Sequence, residues 1–199
     1  MPPSLPKLTA DGRDILFFRA RTANAFADTP VTDEELRAVW ELAKWPPTSA
    51  NTQPLRVVYI RTEEGKQRVV KHMAEGNEAK TAAAPVVAVL AADTDFHDYI
   101  PQLFPHRPEL KDAFADPSGR EQHARFNAIL QSGYFLLAVR AEGLAAGPMT
   151  GFDRDGLDAE LFPEGRFRSL MVVNIGHPGA NAWMDRLPRL DDEDALSWL

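Results

Sequence analysis

Apolar positions recur along this chain in two rhythms, a spacing of three to four residues that predicts helices and continuous β-branched runs that predict strands. Thr32 with Glu35 forms a capping box, and Leu36, Val39, Trp40 and Ala43 follow at helical spacing until Pro46 and Pro47 end the helix after Lys44. Leu55 to Arg61 (LRVVYIR) is β-branched and aromatic and predicts a strand. A helix is expected from Glu63 to about Ala74, closed by Gly76. Pro85 introduces Val86 to Ala92, apolar throughout, as a strand covered on both faces should be. Thr94 to Gly119 is rich in proline, histidine and aromatics without a period, and predicts a long surface excursion. Glu121 to Glu142 predicts the strongest helix, with Phe126, Ile129, Leu130, Gly133 and Leu137 forming its apolar face and Gly143 its C-terminal cap. A loop (GPMTGFD), a short helix near Asp155 to Leu161, a strand at Ser169 to Ile175 and a tail containing Arg186-Leu-Pro188 complete the chain.

Residues 1–12, with Pro2, Pro3 and Pro6, are expected to be a flexible leader, and 13–199 a single domain opened by the apolar run Ile15 to Phe18. Strands dispersed among helices predict a mixed, layered α/β arrangement. The composition, 44% apolar and 26% charged, is that of an ordinary globular protein. A net charge of −7 argues against nucleic acid and anionic membranes as partners. There is no cysteine, so thiol nucleophiles, thiolate metal sites and disulfides are excluded together. The N-terminus lacks an apolar signal core, and the run Ala82 to Ala92 is far too short for a membrane span, so a cytoplasmic protein is expected.

Familiar catalytic motifs are missing. No two glycines lie two apart, which rules out a dinucleotide fingerprint. Gly151 and Gly156 have phosphate-loop spacing, but Leu157 and Asp158 follow where Lys and Ser or Thr are required. His72, His97, His106, His123 and His177 are scattered without a paired helical spacing, so no metal site is expected. No serine elbow exists.

What remains is a set of polar stretches. The segment Lys44 to Pro54 (KWPPTSANTQP) carries hydroxyls and amides between prolines, with no charge between Lys44 and Arg56. It is either a turn-rich connection or a loop that hydrogen-bonds a planar polar ligand. Arg19-Ala-Arg-Thr-Ala-Asn24 sets guanidinium groups beside hydroxyl and amide donors, a chemistry suited to phosphate. Asn77 and Lys80 stand one helical turn apart, and Gly147 to Asp153 is a glycine-flanked segment that a ring could approach closely.

In this order the four stretches resemble the FMN-dependent nitroreductase family, and the resemblance runs from about Phe17 to Leu196. It implies an α+β, nitroreductase-like fold, a central mostly antiparallel sheet flanked by helices in an intertwined homodimer. Arg21, Thr22, Asn24 and Arg186 would then meet the phosphate and ribityl chain of FMN. Asn77 and Lys80 would meet the pyrimidine edge, and Pro148, Met149, Thr150 and Gly151 would line the ring near N5. Pro47, Thr48, Ser49 and Asn51 would come from the partner chain. Ala20, Asn24, Thr150 and Met184 stand where the family often has Arg, Lys or Arg, Glu and Lys, so the site carries less positive charge than in many relatives.

The flavin would carry the chemistry, taking hydride at N5 from NADH or NADPH, so that no side chain need serve as acid, base or nucleophile. The phrases KWPPTSAN, IPQLFPH, GPMTGFDR and RLPRL are similar to the malonic semialdehyde reductase subgroup, which implies reduction of that aldehyde to 3-hydroxypropionate. Arg107 or Arg154 would receive its carboxylate, and Tyr99 to His106 would act as a lid or pack on the dimer partner. Three alternatives stay open: a broader nitro-compound or quinone reductase, a non-enzymatic flavin-binding module, and a helical domain without cofactor.

Overall fold

A computed structural model describes residues 5–199. The first four residues of the expected leader lie outside the described residues. In its last part Thr9 accepts a hydrogen bond from the Gly12 N–H and caps helix α1, Ala10–Arg13, which runs into a wide π-helical segment, Asp14–Phe18.

Four strands form one sheet: β1 (Leu55–Ile60), β2 (Val86–Asp93), β3 (Ala145–Met149) and β4 (Phe167–Gly176), in the order β1-β2-β4-β3, each pair antiparallel. β2 and β4 are the inner strands, and every residue of β2 is buried. The alternation of strand side chains sorts the core into two layers. Val86, Ala88, Leu90 and Ala92 face helices α2 (Asp33–Ala43) and α6 (Pro117–Ala141), together with Leu36, Val39, Phe135 and Val139. Val87, Val89 and Ala91 face Val69 of α3 (Glu63–Val70), Met73, and Leu157 of α7 (Arg154–Leu161). The fold is thus the expected α+β arrangement of an antiparallel sheet between helices. None of the described helices is long and apolar enough to cross a membrane.

The structure differs from expectation in four places. The helix expected to reach Ala74 ends at Val70, and Gly76 lies inside a further helix, α4 (Glu75–Ala82). The break occurs because residues 72–74 bond another segment: the Ala74 N–H donates to Gly151 O, and the Asp153 N–H to His72 O. The segment expected to be a loop from Gly147 starts as β3, since the edge of β4 can pair its backbone groups there. The excursion 94–119 contains 3₁₀ turns at Phe96–Tyr99 and Pro108–Phe114, the short helix α5 (Ile100–Leu103) and the first residues of α6.

The fourth difference concerns α6, where Gly143 does adopt a left-handed φ of 77° at the C-terminal end. The face packed on the sheet is Ala124, Ala128, Phe135, Ala138 and Val139, with Asn127, Gln131 and Ser132. The face read as core is turned outward: Phe126 is 72% and Ile129 57% exposed. Alanines let the helix approach the strands closely, which the larger residues of the other face would prevent.

Candidate cofactor site

The stretch after the π-helical segment is laid along the end of β3. The Ala23 N–H donates to Ala146 O at 2.9 Å, and the Asn24 N–H to Ala182 O at 2.9 Å. Contact is so close that a Cβ at Gly147 would lie 2.6 Å from Ala23 O. Arg21 then reaches the tail, donating to Met184 O at 3.1 Å. Arg186 reaches back to Phe18 O and, at 3.0 Å, to Ala20 O.

The result is a cavity of about 300 Å³ lined by Arg21, Thr22, Asn24, Arg186 and Arg189 together with Met184 and Asp185. A smaller one of about 240 Å³ adjoins it, lined by Arg19, Arg21, Arg140 and Trp183. Burial holds the Arg140 guanidinium below its ordinary value, and the charges of Arg19 and Arg186 push it the same way. Like charges gathered in a chain of net charge −7 are relieved by an anion, and planar guanidinium forks with a threonine hydroxyl fit a phosphate ester. The structure brings the expected Arg21, Thr22, Asn24 and Arg186 together at one cavity; Arg189, which lines it too, and Arg140, which lines the adjoining one, were not among the expected residues, because their place depends on tail and helix packing.

A second cluster forms where α4 meets the end of β3. Asn77 Nδ2 donates to Gly151 O at 2.9 Å, and a Cβ at Gly151 would sit 2.9 Å from that nitrogen. Asn174, buried on β4, donates to Lys80 O at 3.1 Å, and the Thr81 hydroxyl points to Met149 Sδ at 3.8 Å. Asn77, Lys80 and the 148–151 segment are therefore held together, with Lys80 half-buried and without an ion-pair partner among the described residues. Asn174 was not foreseen; an asparagine within a strand of valines was the available signal.

The loop from Pro47 to Gln53 is the third part. Ala50, Asn51 and Gln53 have φ of 51°, 51° and 43°, left-handed values that residues with a Cβ adopt at a cost. Its polar groups hold it in shape: the Gln53 N–H donates to Thr48 Oγ1 at 3.1 Å, and Gln53 Nε2 to Asn51 Oδ1 at 2.8 Å. Asn51 Nδ2 donates to Leu103 O at 2.8 Å, tying the loop to α5. Among the described residues no hydrogen bond, ion pair or shared cavity joins residues 47–51 to Arg21 or Asn77. Larger cavities, of about 520 and 420 Å³, lie along the free edge of β1 and around Trp40 and Tyr59, and one of about 360 Å³ lies by Pro30 and Pro85.

The fold defines the molecule as an α+β protein with an antiparallel sheet between helices, and the arginine-lined cavity at the end of β3 has a chemistry suited to a phosphate-bearing ligand. Comparison with known proteins gives the class a family: the sequence profile of the nitroreductase family matches residues 19–177, and the chain belongs to that family. A Streptomyces coelicolor protein, named a candidate NADH dehydrogenase/NAD(P)H nitroreductase, is 55% identical over 98% of this chain and 96% of its own length. A Rhodopseudomonas palustris protein of the same name is 47% identical over 92% of this chain and 93% of its own. The fold matches the crystal structure of a candidate nitroreductase from Exiguobacterium sibiricum 255-15 in complex with FMN. That match has a TM-score of 0.84 and 21% identity, over 97% of this chain and 99% of that one. A candidate NAD(P)H:FMN oxidoreductase from Staphylococcus epidermidis matches with a TM-score of 0.81 and 19% identity, over 98% and 100%. At these identities the two structures speak to the fold alone.

Proposed function

We propose that this chain is a cytoplasmic, FMN-dependent NAD(P)H oxidoreductase that works as an intertwined homodimer and reduces malonic semialdehyde to 3-hydroxypropionate. The observation that carries the flavin reading is the meeting of Arg21, Thr22, Asn24 and Arg186 around one anion cavity. The bound flavin supplies the redox chemistry, passing electrons from the nicotinamide to the acceptor. The chain's own residues bind and orient: Arg21 and Arg186 take the phosphate, while Asn77 and Lys80 offer an amide and a cation to the polar edge of the ring. Pro148, Met149, Thr150 and Gly151 would line the ring. Pro47, Thr48, Ser49 and Asn51, separated from these groups within one chain, complete the site of the partner.

Two apolar surfaces support the dimer. The outer face of α6 exposes Phe126, Ile129 and Tyr134, and the tail exposes Leu187, Leu190 and Trp198. The tail, without regular structure over 182–191 and exposed beyond Ala182, suits an arm exchanged between subunits, and the cavities at the β1 edge would receive it. For the aldehyde, support comes from the four sequence phrases and from Arg154. It is half-buried, with its guanidinium 5.7 Å from the centre of the Phe152 ring beside Gly151. Arg107 is less suited, being exposed and 3.5 Å from the Glu109 carboxylate. The segment 99–106 keeps the lid role, joined to the flavin-facing loop through Leu103 O.

A broader nitro-compound or quinone reductase is the second reading, favoured by the name that the 55% identical relative bears. A visible spectrum of the protein with FMN, followed anaerobically by NADH or NADPH and then by each acceptor, separates the two. Bleaching by the nucleotide and recovery with malonic semialdehyde is expected. Recovery with nitro compounds or quinones but not with the aldehyde overturns the specific reading, and a protein indifferent to FMN overturns both.

A further inference from the structure

The side chains that shape the 48–55 loop come from α6, and they belong to no motif of the sequence. His123, Asn127 and Gln131 follow one another at intervals of four residues, which places them along one face of the helix. Asn127 and Gln131 are 2% and 1% exposed, among alanines and Phe135. Each of the three meets a different point of the loop. His123 Nε2 is 3.3 Å from Thr52 Oγ1, Asn127 Oδ1 accepts from the Ser49 N–H at 2.8 Å, and Gln131 Oε1 accepts from the Leu55 N–H at 3.0 Å. Asn127 Nδ2 donates to His123 O at 2.9 Å, which fixes which end of the amide faces the loop.

Three polar side chains on the sheet-facing side of a helix are costly unless they are bonded, and a helix that only had to pack would carry apolar residues there. What they bond is a segment with left-handed φ at Ala50, Asn51 and Gln53, a costly shape that the loop's own hydrogen bonds hold from within and these three side chains hold from α6. Ser49 begins this stretch and Leu55 follows it, so the two amide acceptors hold its ends, with His123 between them at Thr52.

We propose that Asn127, flanked by His123 and Gln131, is a positioning residue that presets the shape of the flavin-facing loop without touching the flavin. The proposal rests on the FMN reading above. A preset loop loses little freedom when the ligand arrives, so the contribution of α6 is read in FMN affinity and in the mobility of the loop before FMN binds.

The test compares Asn127→Leu, which keeps the size and removes the acceptor, with Asn127→Asp, which keeps an oxygen facing Ser49. FMN dissociation constants are measured by titration of the FMN-free protein, and amide exchange is followed in the same protein without FMN. For Asn127→Leu, FMN binding weakens roughly tenfold, the loss of one well-made hydrogen bond. Exchange quickens at Ser49 and Leu55 but not in β2, and Asn127→Asp retains most of the affinity. Unchanged FMN affinity in folded Asn127→Leu overturns the inference, as does quickened exchange throughout β2, which would mark a general loss of fold. If Asn127→Leu does not fold, Gln131→Leu and His123→Phe carry the same comparison. Wild-type protein that binds no FMN overturns the flavin reading itself; wild-type protein that binds it beside variants that bind equally well overturns only this inference.

Discussion

Asp93 shows how much a single residue can hold together. It ends β2 wholly buried, and its carboxylate accepts from Arg56 at 2.6 Å, from Arg166 at 2.8 and 2.9 Å, and from the Asp95 N–H at 3.0 Å. The Tyr99 ring lies over both guanidiniums, 5.4 and 5.8 Å from ring centre to Cζ, and the hydrogen bonds that Arg166 donates to Asp93 push its guanidinium above its ordinary value. Asp93→Asn would leave two cations facing each other with no anion between them. A loss of about 3–5 kcal/mol is expected, typical for breaking a buried pair, and is read from urea unfolding. A second prediction at this scale concerns Gly147, where a Cβ would lie 2.6 Å from Ala23 O. Gly147→Ala should cost about 1–3 kcal/mol by overpacking and weaken FMN binding, because the strain displaces the segment carrying Arg21. The two residues were unequally legible. Gly147 sits in a quoted motif, whereas Asp93 closes an apolar run with partners 37 and 73 residues away, and spacing gives no sign of them.

At the scale of elements, α3 and α7 are joined through one carboxylate. Glu160 of α7 accepts from Lys71 and from Arg68, each at 2.7 Å, and these hydrogen bonds lower its pKa to about 2 from an ordinary 4.5. A depressed carboxylate contributes stability that is fully present above 4.5 and is lost as pH falls through the interval to about 2. Glu160→Gln should therefore lower stability above about pH 4.5, with the difference from the wild type closing as pH falls through the interval to about 2, which flattens the acid limb. Urea midpoints at successive pH values measure this, and because the pair is largely exposed the difference should shrink in high salt. Elements with strong internal signals were legible: the Thr32 capping box, β2 and the Gly143 cap all stand where periodicity and capping put them. The division of α3 from α4 was not, since its cause is the bonding of residues 72–74 to 151–153. Nor was the orientation of α6, because apolar residues recur on both of its faces and periodicity cannot choose between alanines that pack and larger residues that stay exposed.

For the whole molecule, the outward face of α6 turns that misreading into a prediction about assembly. Phe126, Ile129, Leu130 and Tyr134 are each more than a third exposed on one helix, and Leu187, Leu190, Leu196 and Trp198 are exposed along the tail. A contiguous apolar helix face on a chain of net charge −7 is what a self-associating surface looks like when one subunit is viewed alone. The split of the candidate site points the same way, with the arginine cavity and the 47–51 loop unconnected within one chain. Sedimentation should give twice the 22.1 kDa of the chain. Ile129→Glu, which puts a carboxylate on the apolar face without altering the packed side of α6, should yield a folded monomer. That monomer keeps the arginine cavity but lacks the partner's loop, so FMN binding should fall at least tenfold while the circular dichroism spectrum stays that of the wild type. A monomer that binds FMN as tightly as the wild type would show that one chain holds the whole site. An Ile129→Glu protein that remains dimeric would move the interface away from α6.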